Sequence, residues 1–61
     1  MSLKVLLGAQ ELVDSFGEAA PDQAREALEK AIRRDDRAGI ELAKRIQARV
    51  TRLLEEKSGE G

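Results

Sequence analysis

Neither cysteine nor histidine occurs in this 61-residue chain, and that absence constrains the fold more than any motif does. A chain near this length buries only about 60% of the surface its unfolded form exposes. Folds so small are usually reinforced by a disulfide, a metal or a partner. Disulfides are excluded here, and nothing implies an oxidising compartment. A zinc site would need carboxylates alone, which zinc rarely accepts. A partner is therefore the expected reinforcement, and no cofactor is expected.

Charged residues make up 38% of the chain but cancel to a net charge of -1. Such a surface is well solvated and has no bulk attraction to nucleic acid or anionic lipid. The apolar fraction of 41% is enough for a core and argues against wholesale disorder. Phe16 is the single aromatic residue, so that core must be aliphatic. No apolar run approaches the roughly 18 residues of a membrane span. No basic segment leads into an apolar stretch with a cleavage site, so a cytoplasmic location is expected. Met1-Ser2-Leu3 and Glu60-Gly61 resemble vector-derived ends and carry no functional weight.

Hydrophobic spacing predicts an all-α fold of three helices, about 2–16, 21–34 and 37–57, in one domain over 1–57 with a flexible tail at 58–61. Val5, Leu6, Ala9, Leu12, Val13 and Phe16 recur on one face of the first helix. Ser2 is its candidate cap, and Gly17 suits the left-handed residue that ends it. Gly8, inside that helix, costs about 1 kcal/mol relative to alanine. Either it permits a close helix crossing or it is a tolerated weak spot. Pro21 opens the second helix, Asp22 favours the positive end of its dipole, and Arg33 and Arg34 favour the other end. Ala24, Ala27, Leu28, Ala31 and Ile32 form its narrow stripe, small enough for a neighbour to come close.

Asp35-Asp36 interrupts the pattern, and either residue is a good N-cap for the third helix. That helix carries Leu42, Ala43, Ile46, Val50, Leu53 and Leu54 on one face, flanked by Ile40. The short turn predicts that the second and third helices form an antiparallel hairpin. Glu26 with Lys30, Glu29 with Arg33 and Glu41 with Arg45 have the acid-before-base i,i+4 order, worth about 0.2–0.5 kcal/mol each.

Residues capable of chemistry are scattered. Ser15 and Thr51 are the candidate nucleophiles, and without histidine neither has an evident base. Asp35-Asp36 reads as a cap and Glu55-Glu56 as the solvated end of a helix. A hard cation would want more converging oxygens than either pair offers. Gly8, Gly17 and Gly39 are too dispersed to cradle a phosphate. No enzymatic activity is expected.

Lys44, Arg45, Arg49 and Arg52 make a basic face on the third helix, which opens a nucleic-acid-binding or regulatory alternative. Glu41, Glu55 and Glu56 lie within pairing distance of those arginines, and a DNA-binding domain normally has a clear basic footprint. A solvated charge face ranks above nucleic-acid readout. Membrane-surface binding would need a cationic face with aromatic anchors, which is not the pattern here.

Surplus apolar surface remains. Leu3 and Leu7 fall off the main stripe, so with Val5 and Leu6 they nearly encircle the start of the first helix. The expected interface is Leu3, Val5, Leu6, Leu7, Leu12, Val13 and Phe16. Its expected partner is a second copy in a homo-oligomer, a dimer above all, or else another helical protein. A self-sufficient monomer would instead seal Leu6, Leu12, Ile46 and Leu53 inside one bundle.

The order Leu12-Val13…Phe16-Gly17…Ala20-Pro21…Ala24, then Asp35-Asp36-Arg37-Ala38-Gly39, then Ile46…Arg49-Val50…Leu53, resembles a group of short alphaproteobacterial proteins of unknown function. Members often carry a tryptophan in the final helix, which this sequence lacks. The resemblance implies a helical fold and no particular activity.

Overall fold

A computed structural model describes residues 3–58. Its elements are α1 (Leu3–Phe16), a 3-10 turn (Gly17–Ala19), α2 (Ala20–Arg33) and α3 (Arg37–Ser58). The protein is all-helical, as its periodicity predicts. No non-helical residue separates α1 from α2, so among the described residues the helical run is broken only at 34–36. The expected cap Ser2 and the tail residues 59–61 lie outside the described residues.

Each reversal has a local cause. Gly17 has φ +57°, a left-handed value that glycine adopts without a Cβ penalty. At the end of α2, Asp35 takes the left-handed position with φ +52°. Its N–H donates to the Ile32 carbonyl at 3.0 Å, and the Asp36 N–H donates to the Ala31 carbonyl at 3.0 Å. Those two bonds make the Schellman closure that satisfies orphan carbonyls. Asp36 then begins α3, since its Oδ1 accepts from the Gly39 N–H at 3.0 Å. Of the two candidate caps, Asp36 has the role, while Asp35 bends the chain.

The cap also explains Gly39. A Cβ there would sit 2.5 Å from Asp36 Oδ2 and 3.4 Å from the Ala31 Cβ. Gly39→Ala gains about 1 kcal/mol of helix propensity but displaces the capping carboxylate, itself worth about 1 kcal/mol, and crowds the turn. We expect Gly39→Ala to lower the melting temperature, and to cost less on an Asp36→Ala background where the cap is already gone. Equal costs in both backgrounds would contradict this account.

α3 is the central element. α1 and α2 each pack along it and touch one another far less. Gly39 lies near Ala31 at one end of the pair, and Ala20 clusters with Val50 near the other, so α2 and α3 are antiparallel, as expected. α1 runs in the same direction as α3: Val5 lies beside Arg45 and Arg49, Gly8 beside Ile46, and Val13 beside Leu53. A Cβ on Gly8 would come within 3.0 Å of Ile46 Cδ1. Gly8 therefore marks a close crossing of α1 over α3.

The interior is unusually small-chained. Val5, Ala9, Val13, Ala20, Ala24, Ala31, Ala43 and Val50 are the buried hydrophobics, and no polar side chain is buried among the described residues. On α2 the buried line is Ala20, Ala24 and Ala31, whereas Ala27 is exposed and Ile32 is 55% exposed. The stripe read from sequence was thus wider than the face that α3 covers. The three anticipated i,i+4 ion pairs are not closed either. Among the described residues the ion pairs are Arg25–Asp22 at 3.6 Å and Arg52–Glu56 at 3.7 Å, both on exposed side chains, where such contacts add little stability.

Candidate interaction surfaces

The exposed apolar surface begins on α1. At about 100° per residue, Val5, Ala9 and Val13 stack on the line facing α3, and Leu3 and Leu7 fall on the other side. The structure shows that division: Val5 and Val13 retain 2% and 5% exposure, while Leu3 and Leu7 retain 69% and 60%. Leu6 and Leu12 are half-buried. Phe16, at the end of the helix, is 46% exposed. Of the interface residues expected from sequence, Val5 and Val13 belong instead to the chain's own core. Leu12 packs against that core as well. Leu3, Leu6, Leu7 and Phe16 remain available to a partner.

A second surface is a groove along the α2–α3 pair. Ala24, Ala31 and Ala43 form its floor, Leu42 and Ile46 line it, and Leu12 contributes from α1. Lys30, Arg34 and Asp36 supply its charged lining. The alanine run in α2 was the sequence signal for this groove, because small side chains leave the space that a larger ridge would occupy.

A third surface is basic. Arg45, Arg49 and Arg52 line one cleft together with Ala48 and Val5 of α1. Their i, i+4, i+7 spacing puts them on one helix face, and α1 supplies the apolar wall beside their stems. Lys44 is exposed but stands on a neighbouring face, outside the cleft. Arg52 reaches Glu56.

The remaining candidates for chemistry stay apart. Ser15 is exposed. The Thr51 hydroxyl donates to the Gln47 carbonyl at 3.1 Å, a back-bond within its own helix. Asp35 and Asp36 are engaged in the turn. Among the described residues no group of three or more acidic, histidine or cysteine side chains is gathered for a metal ion, and no helix is long and apolar enough to cross a membrane.

No protein-family model matches this chain, and no curated protein or solved structure does either.

Proposed function

We propose that this chain is a small helical self-association module, with a second copy as its principal partner and a two-fold dimer as its simplest closed form. One observation carries the reading. Among the described residues every fully buried apolar side chain is alanine or valine, and every leucine, isoleucine and phenylalanine keeps part of its surface in water. Of Leu6, Leu12, Ile46 and Leu53, which a self-sufficient monomer would seal, none is fully buried, although Leu12, Ile46 and Leu53 pack against the core.

Burying a leucine fully is worth about 1.5–3 kcal/mol, and Leu3 and Leu7, at 69% and 60% exposure, realise little of it in the monomer. These two residues, at the start of α1, are the most exposed large hydrophobics among the described residues, ahead of Ile32 and Phe16. The resemblance to short alphaproteobacterial helical proteins implies a helical fold alone and transfers no activity.

Sedimentation equilibrium across low-micromolar to near-millimolar concentration tests the reading. The expected result is a concentration-dependent mass, together with a melting temperature that rises with concentration, since binding partners stabilise only the folded state. Leu7→Glu should weaken association by about tenfold or more, the effect of losing roughly 1.4 kcal/mol. The isolated fold should change by less than about 0.5 kcal/mol, because Leu7 is a surface position. A cooperative monomer throughout that range would defeat the proposal.

The convergence of Arg45, Arg49 and Arg52 on one cleft supports a second reading, a nucleic-acid-binding or regulatory module. Titration with an oligonucleotide at two salt concentrations checks it. Phosphate contacts are strongest at low salt, so absence of binding there removes it.

A further inference from the structure

Two charged stripes on this chain are sign-inverted copies of one another. Asp22, Glu26, Glu29 and Arg33 follow one another along α2 at steps of four, three and four residues. Arg45, Arg49, Arg52 and Glu56 follow one another along α3 at the same steps. At about 100° per residue, each set falls within a band roughly 60° wide, so each stripe runs straight along its helix for three turns. Where α2 reads acid, acid, acid, base, α3 reads base, base, base, acid.

The stripes cannot meet within one chain. α2 turns Ala20, Ala24 and Ala31 inward, and its charged stripe lies on the opposite side of the helix. The α3 stripe borders the cleft beside Val5. All eight residues are exposed except Arg49, which is half-buried. The ion pairs that involve them, Asp22 with Arg25 and Arg52 with Glu56, stay within single helices. Glu26, Glu29, Arg45 and Arg49 have no ion-pair partner among the described residues. Neighbouring like charges on one helix face repel, and an opposite stripe in matching register relieves that repulsion on both sides.

We propose that the α2 stripe of one copy docks along the α3 stripe of another, with Glu26 facing Arg49 and the flanking positions aligned in parallel register. The inference rests on the self-association reading for its partner, a second copy, but uses a different surface and a different force. Electrostatic matching of this kind mainly sets orientation and encounter rate. The two stripes are different surfaces, so the contact is head to tail. It extends past a dimer into a ring or a longer array, whereas the apolar contact closes on itself.

The test uses the full chain in sedimentation or light scattering at about 20 mM and about 500 mM salt, a range over which exposed charges become strongly screened. The expected result is mass above the dimer at low salt that falls back at high salt. Glu26→Arg and Arg49→Glu should each abolish the low-salt growth. An equimolar mixture of the two should restore hetero-association, because the reversed α2 stripe then meets a reversed α3 stripe. Arg45→Glu, at an exposed position, repeats the test should Arg49→Glu lose helicity by circular dichroism.

A mass unaffected by salt and by these reversals, in a chain that still dimerises, overturns the head-to-tail contact and leaves the self-association reading standing. Salt-dependent growth from a high-salt monomer supports the contact and removes the apolar dimer. A monomer under every condition overturns both. Growth lost in Arg49→Glu but retained in Glu26→Arg, with oligonucleotide binding by the unaltered chain at low salt, assigns the arginines to nucleic acid and overturns the contact.

Discussion

Val50→Asp is expected to abolish the cooperative thermal transition and most of the helical circular dichroism signal. Val50 retains 0% exposure and clusters with Ala9, Val13 and Ala20, so it lies where all three helices meet. No polar side chain is buried among the described residues, and none is on hand to pair with a carboxylate. Burying an unpaired charge, or opening the core to hydrate it, costs several kcal/mol. A chain of this length has roughly 3–9 kcal/mol of total stability, so the substitution consumes most or all of it. A cooperative melt close to that of the unaltered chain would mean that α1 and α2 do not converge on Val50.

Ala9→Leu has the next largest expected effect, through size instead of charge. Ala9 also has 0% exposure, and Gly8 beside it brings α1 within a methyl group of Ile46. A leucine here must push α1 off α3 or adopt a strained rotamer, at about 1–3 kcal/mol. At roughly 4–8 °C per kcal/mol for a domain of this size, that is a readily measured fall in melting temperature. The exposed Ala27 is the natural control, since Ala27→Leu adds the same atoms without entering the helix crossing. Equal shifts at the two positions would show that close packing of α1 on α3 does not limit stability.

Much of the secondary structure was legible because its causes are local. Gly17 ends α1 through its left-handed φ, and Asp36 caps α3 within one turn of itself. Each effect operates over a few residues, so helix positions follow from neighbouring sequence. The face that a helix buries is less local. Ala24, Ala27, Leu28, Ala31 and Ile32 form an apolar band on α2, yet α3 covers the line through Ala20, Ala24 and Ala31. The rest of the band remains beside the groove or in solvent. Expected ion pairs such as Glu29 with Arg33 fared poorly for a related reason: on exposed helices, solvation competes evenly with a weak pairing.

The interaction surfaces show the same division. The shared face of Arg45, Arg49 and Arg52 follows from helical spacing alone, because 3.6 residues per turn relates positions on one rigid element. Their cleft with Val5 depends on α1 crossing α3 at Gly8, a contact between segments far apart in the chain. The separation of Leu3 and Leu7 from Val5 and Val13 likewise depends on which side of α1 meets α3. Local chemistry along the chain sets the helices, their ends and the order of charge on each face. Packing between distant segments selects which apolar residues are enclosed and which are left for a partner, because burial depends on how whole helices fit together and no short stretch of residues contains that information.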